Sequence, residues 1–102
     1  MSPEIRKKFS IEELKVIVTP VAKKYGVNKV YLFGSVARGD FDENSDYDFC
    51  IERGKIECTI VLSEFFHDLH EAIGDEIDLV TTKSVNQAFL NNIMKDGVLI
   101  YG

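Results

Sequence analysis

Apolar positions recur along this chain at two different spacings, and the changes from one to the other divide it into elements. Behind Ser10, residues Leu14, Ile17, Val18, Val21 and Tyr25 recur at three- and four-residue intervals, the period of a helix with one buried face. Ser10 and Glu13 form an S-x-x-E capping box at its start. Pro20 lacks an amide hydrogen, which predicts a kink or restart there, and Gly26 predicts the end. K-V-Y-L-F, residues 29–33, reads as a buried strand that Gly34 and Ser35 break, with a short helical turn over residues 36–38. Residues 39–45 (G-D-F-D-E-N-S) are loop by composition. D-Y-D-F-C-I, residues 46–51, alternates polar and apolar, the mark of a half-buried strand, and Arg53-Gly54 turns the chain. Leu62, Phe65, Phe66, Leu69 and Ile73 form the stripe of a second helix ending at Gly74. Residues 76–81 (E-I-D-L-V-T) alternate again. Ser84 is placed to cap a third helix with Val85, Phe89 and Ile93 inward and Gly97 as its stop, and residues 98–101 form a terminal strand. No internal repeat or linker interrupts the series, which reads as a small structure of α and β layers.

Length and composition narrow the class. At 102 residues and 11.6 kDa, residues 1–102 are expected to form one domain. A chain of this size buries roughly 60–65% of its unfolded surface, enough for one core. No apolar run approaches the ~18–20 residues that span a bilayer, so no membrane association is expected. Arg6, Lys7 and Lys8 have no apolar stretch behind them, so no signal peptide is expected, and the run reads as a solvated end. Two cysteines, Cys50 and Cys58, are too few for a disulfide framework, which favours a reducing, cytoplasmic setting. The formal charge is −5, unevenly spread. Residues 1–38 carry eight basic and three acidic side chains, whereas residues 39–80 carry two basic and thirteen acidic ones. That middle block argues against stable binding to nucleic acid, which calls for a basic face.

The acidic block raises a question of chemistry. Residues two apart in a strand share a face, so Asp46 and Asp48 project together while Tyr47, Phe49 and Ile51 point into the core. In E-I-D-L-V, Asp78 points away from Ile77 and Leu79. If the two strands are neighbours, three carboxylates share one patch and repel one another unless a cation neutralises them. Mg²⁺ suits such a patch, because it takes oxygen ligands from a few carboxylates and substrate phosphates. The plainer alternative, a solvated acidic surface, fits Asp40, Asp42, Glu43 and Asn44 as loop and turn residues. A calcium loop fits poorly. Asp40, Asp42 and Asn44 match its first three ligand positions, but Ser45 stands where Gly is needed and Ile51 where Glu is needed. The turn upstream favours chemistry. Gly34 admits close backbone approach, Ser35 adds a hydroxyl donor, and Arg38, one turn on, offers a cation to the same anion. No Walker-type phosphate loop is present. A phosphate-sized anion site beside a carboxylate metal site is what phosphoryl or nucleotidyl transfer requires.

F-G-S-V-A-R-G-D followed by D-F-D-E-N-S-D-Y-D resembles the signature of the DNA polymerase β-like nucleotidyltransferase superfamily: G-S, ten residues, then D-x-D. The A-R-G after G-S, the S-D-x-D form of the acidic pair, the later I-D-L-V and the ending I-M-K-D-G-V-L-I-Y resemble its minimal nucleotidyltransferase (MNT) branch. The similarity runs from about Val21 to Tyr101. It implies an α+β fold, a small mixed β-sheet packed by helices mostly on one side. It implies that Gly34 and Ser35 bind the β- and γ-phosphates of ATP or another NTP, that Asp46 and Asp48 ligate Mg²⁺, and that Asp78 is the third carboxylate, on the metal or as base toward the acceptor hydroxyl. Arg38 has two readings, a phosphate ligand or the partner of a nearby acid that shapes the loop. Larger relatives carry further domains that grip base and acceptor. A chain of this size resembles the antitoxin half of HEPN–MNT toxin–antitoxin pairs, which implies AMP transfer from ATP to a tyrosine of a HEPN-type toxin.

The remaining candidates read more simply. His67 and His70, three apart on the second helix, lack a further ligand for zinc. Cys50 shares the face of Asp46 and Asp48 and reads as a small buried filler. Tyr25, Tyr31 and Phe33 read as core, with adenine stacking as the alternative. The leading reading is therefore a Mg²⁺-dependent nucleotidyltransferase acting as an antitoxin. Its competitors are a non-catalytic nucleotide-binding MNT module that neutralises a partner by binding, and a metal-binding structural domain. A monomer, a homo-oligomer and one half of a heteromer are all compatible with the sequence.

Overall fold

A computed structural model of the chain describes residues 9–42 and 45–102. Arg6, Lys7, Lys8, Glu43 and Asn44 lie outside the described residues. The elements follow in the order α1 (Ile11–Tyr25), β1 (Lys29–Phe33), α2 (Gly34–Arg38), β2 (Tyr47–Glu52), α3 (Thr59–Ile73), β3 (Ile77–Thr81), α4 (Gln87–Asp96) and β4 (Val98–Tyr101). The strands form one mixed sheet in the order β3-β2-β1-β4. β1 pairs antiparallel with β2 and β4, and β2 pairs parallel with β3. Parallel neighbours need a crossover, and α3 supplies it. This is the α+β fold expected from the sequence.

The main core lies between one face of the sheet and the two long helices. Leu14, Val18 and Ala22 of α1 and Phe65, Leu69 and Ile73 of α3 pack against Val30, Leu32, Tyr47, Phe49, Ile51, Ile77 and Ile100. The helices are clasped at one point, where the Tyr25 hydroxyl donates to Asp68 Oδ2 at 2.6 Å and Lys24 Nζ lies 2.9 Å from the same oxygen. The capping box forms in both directions. Glu13 N–H donates to Ser10 Oγ at 3.1 Å and Ser10 N–H donates to Glu13 Oε1 at 2.9 Å. Ahead of the helix, Phe9 N–H donates to the Tyr47 hydroxyl at 2.8 Å and ties the entering chain to the start of β2.

Several local expectations are corrected. α1 runs through Pro20 without the restart expected as one possibility there. The carbonyl that Pro20 cannot pair with belongs to Val16, a residue that is 75% exposed. Phe66 is exposed and stacks on His70 instead of joining the core stripe of α3. It sits about 100° around the helix from Phe65, beyond the stripe that Phe65, Leu69 and Ile73 define. Ser84 does not cap α4. Its side chain folds back on Thr81, accepting from Thr81 N–H at 3.1 Å and donating to Thr81 O at 3.0 Å. Asn86 caps instead, accepting from Phe89 N–H at 2.8 Å. Phe89 is partly exposed and meets Phe33 edge-to-face, ring centroids 5.6 Å apart, on the sheet face away from the main core. Tyr31 and Phe33 leave β1 toward that second face, alternating with Val30 and Leu32.

Candidate active site

The sheet places the predicted residues at one end. β1 delivers Gly34 as its strand ends, β2 begins one residue after Asp46, and β3 begins one residue before Asp78. The expected strand at residues 46–51 therefore starts at Tyr47, with Asp46 immediately ahead of it. Parallel pairing sets Asp48 opposite Asp78, and antiparallel pairing sets Asp48 opposite Phe33. Tyr47 N–H donates to Glu76 O at 3.1 Å and fixes that register where both strands begin. The parity argument holds: Tyr47, Phe49 and Ile51 are buried, while Asp48 is half-buried and Asp46 and Asp78 are exposed.

Electrostatics link the carboxylates. The Asp48 carboxyl is held above the ordinary carboxylate range, first by burial and then by the negative charges of Asp78 and Asp46, with Arg38 pulling the other way. Asp78 accepts from the Leu79 N–H at 3.0 Å, which orients its carboxylate. Among the described residues, no three His, Cys, Asp or Glu side chains are drawn tightly enough to enclose a metal ion by themselves. The donor set nevertheless fits a hard cation. It is all carboxylate oxygen, it is exposed at Asp46 and Asp78, and its like charges raise the Asp48 carboxyl. An ion that keeps waters and takes substrate phosphates as its other ligands needs no closed cage.

Gly34 is the residue that brings the turn against the carboxylates. Its φ is +78°, a left-handed conformation. A Cβ built on it would collide with Oδ2 of Asp48 and stand 3.1 Å from the Asp48 Cγ. The G-S turn and the D-x-D strand are therefore in contact through the absence of a side chain. The helical turn expected at residues 36–38 begins at Gly34 itself, so Ser35 lies within α2. Gly39 ends α2 in a left-handed conformation, its N–H donating to Ser35 O at 2.9 Å. Arg38 turns toward the loop, where its Nε lies 3.2 Å from Asp40 Oδ2. A cleft of about 430 Å³ adjoins this end of the sheet, lined among others by Phe33, Gly34, Arg38, Phe89, Asn92 and Asp96. Asp40, Phe89 and Asn92 were not distinguishable as site neighbours in the sequence. Only the fold of α4 over β1 brings the latter two beside Gly34.

The other candidates lie outside this cluster. Cys50 is fully buried and its thiol is pushed up by burial, as a packing residue's would be. His67 pairs loosely with Glu71, at 3.6 Å, on the outer face of α3. Tyr25 is engaged with Asp68, distant in the fold from the carboxylates.

A glycine turn thus abuts paired carboxylates at the end of a small mixed sheet. The chain matches the family described as Polymerase beta, Nucleotidyltransferase over residues 15–102. It belongs to that family and is a nucleotidyltransferase. It is 32% identical over 90 residues to a Methanocaldococcus jannaschii protein named as a candidate protein adenylyltransferase, covering 88% of this chain and 97% of that one. It is 26% identical over 96 residues to the protein adenylyltransferase MntA of Thermococcus cleftensis, covering 90% of this chain and 97% of the relative. Its fold is shared by a solved complex from Shewanella oneidensis, a tri-AMPylated HEPN toxin with its MNT antitoxin. There the TM-score is 0.69 at 18% identity, covering 91% of this chain and 73% of that one. Among the described residues, no helix is long and apolar enough to cross a membrane.

Proposed function

We propose that this chain is a Mg²⁺-dependent protein adenylyltransferase. It moves AMP from ATP to a tyrosine hydroxyl of a HEPN-type toxin and so acts as that toxin's antitoxin in the cytoplasm, residues 1–102 working as one catalytic domain. The observation that carries the reading is the contact between Gly34 and Asp48, with Asp78 in register beside them. The naming of its relatives as protein adenylyltransferases and its likeness to an antitoxin bound to an AMPylated toxin support the choice of donor and acceptor.

In this reading Gly34 and Ser35 hold the β- and γ-phosphates. Gly34 lets the backbone come close and Ser35 donates its hydroxyl. Asp46, Asp48 and Asp78 are the residues that would hold Mg²⁺. The bound ion would neutralise phosphate charge and favour the acceptor hydroxyl as a nucleophile. Asp78, on the outer strand β3 and exposed, is the carboxylate best placed to take the acceptor proton. The hydroxyl oxygen then forms a bond to the α-phosphorus as the bond to the bridging oxygen breaks, and pyrophosphate departs past Ser35 and Arg38.

The test is to purify the protein with its natural partner, supply labelled ATP and Mg²⁺, and locate the label by mass spectrometry. Wild type is expected to transfer AMP to a partner tyrosine. Asp46→Asn and Asp48→Asn are expected to abolish transfer with the circular dichroism spectrum unchanged. Normal labelling by both variants would overturn the catalytic reading. Unlabelled but still neutralised toxin, with wild type and variants alike, would establish the non-catalytic module instead.

A further inference from the structure

Arg38 lines the same cleft as Gly34, beside the predicted phosphate site, and its Nε is 3.2 Å from Asp40 Oδ2. We propose that Asp40 is a stand-in anion that holds Arg38 aside and yields it when the triphosphate arrives, so that Asp40 sets the affinity for nucleotide. The inference rests on the nucleotidyltransferase reading of the same site and adds a residue to it.

Three observations converge on this. Arg38 lines the cleft that begins at Gly34, so it borders the space in which an anion at that turn would sit. The pair with Asp40 is also the kind that opens. The Arg38 and Asp40 side chains are 50% and 62% exposed, and the contact is made through Nε alone. An exposed pair of that kind is weak, whereas a triphosphate offers several charged oxygens to a planar guanidinium. Backbone geometry keeps the competitor in reach. Gly39 closes α2 and Asp40 N–H donates to Ser35 O at 3.2 Å, so Asp40 is anchored to the same turn that bears Ser35. A residue that only shaped the loop would gain nothing from being displaced, and the two roles predict opposite effects of neutralising it.

The experiment is isothermal titration of the full chain with ATP and Mg²⁺ at fixed ionic strength, in wild type, Asp40→Asn, Arg38→Gln and the double variant. Asp40→Asn is expected to tighten binding by about two- to fivefold, the range an exposed ion pair spans. In the Arg38→Gln background the same change is expected to do nothing. Weaker or unchanged binding by Asp40→Asn would overturn the proposal and mark Asp40 as a support for the loop. An equal tightening in both backgrounds would also overturn it, since that is the effect of removing one negative charge from the surroundings. Where Arg38→Gln binds too weakly to titrate, the Arg38 Nε–H resonance reads the same exchange. Asp40→Asn must move it in the nucleotide-free chain, ATP with Mg²⁺ must move it in wild type, and a resonance that stays still refutes the device. Failure of wild type itself to bind ATP with Mg²⁺ would remove the nucleotide reading, and this inference with it.

Discussion

Gly34→Ala isolates the contact on which the proposed active site rests. Two terms add. The first is conformational: φ is +78°, and a residue with a Cβ held in the left-handed region costs about 1–2 kcal/mol. For a domain of about 100 residues that is a loss of roughly 4–16 °C in melting temperature. The second is steric. The new methyl carbon would overlap Oδ2 of Asp48 and sit 3.1 Å from its Cγ, so the carboxylate must swing away. Gly39→Ala is the control. Gly39 has φ +84°, but a Cβ there meets nothing within 4 Å, so it carries the first term without the second. Both variants are expected to lose melting temperature through the first term, Gly34→Ala by at least as much as Gly39→Ala because the second adds to it. Only Gly34→Ala should lose transfer, by about 10²-fold or more, because a displacement near 1 Å in a reacting constellation has that effect. Melting curves and initial rates of AMP transfer measure the two terms separately. If Gly34→Ala transfers AMP as fast as Gly39→Ala, Asp48 is not held against the turn in the working enzyme and the reasoning fails.

Two further outcomes follow from particular groups. Asp48 has its folded-state pKa raised above the unfolded value, so its contribution to stability is present below the ordinary carboxylate pKa and is lost as pH rises through the folded one. Asp48→Asn is therefore expected to melt above wild type at pH 7 in metal-free buffer and level with it near pH 3, and a lower melting temperature at pH 7 would contradict the mutual repulsion. Ser10→Ala removes the hydroxyl that accepts from Glu13 N–H and should destabilise the chain by about 1 kcal/mol in urea unfolding, while transfer by the folded fraction is unchanged.

Much of the local structure was legible because its causes are local. The capping box at Ser10 and Glu13, the three- and four-residue spacing from Leu14 to Tyr25, and the alternation around Asp46 and Asp48 depend on neighbours within one turn or one strand. Errors arose where a second partner decided the outcome. Ser84 looked like a cap but spends its hydroxyl on Thr81, and Asn86 takes the role. Phe89 looked inward by spacing, yet α4 packs over the second face of the sheet and sets that ring against Phe33. Asp40 is the exposed loop residue that composition predicts, and its contact with Arg38 is the pairing with a nearby acid that the sequence left open.

The amino-acid order alone settles which carboxylates share a face and that a glycine follows β1, since side-chain direction in a strand alternates with every residue. It does not settle that Asp78, thirty positions beyond Asp48, stands directly across from it. That depends on β3 returning beside β2 in parallel after the α3 crossover, in the one register that buries Ile77 against the same core as Tyr47 and Phe49. The contact between Gly34 and Asp48 likewise exists only once β1 and β2 pair antiparallel. Periodicity carries information over a few residues. The site is an agreement among three strands, and only burial of their shared face enforces it.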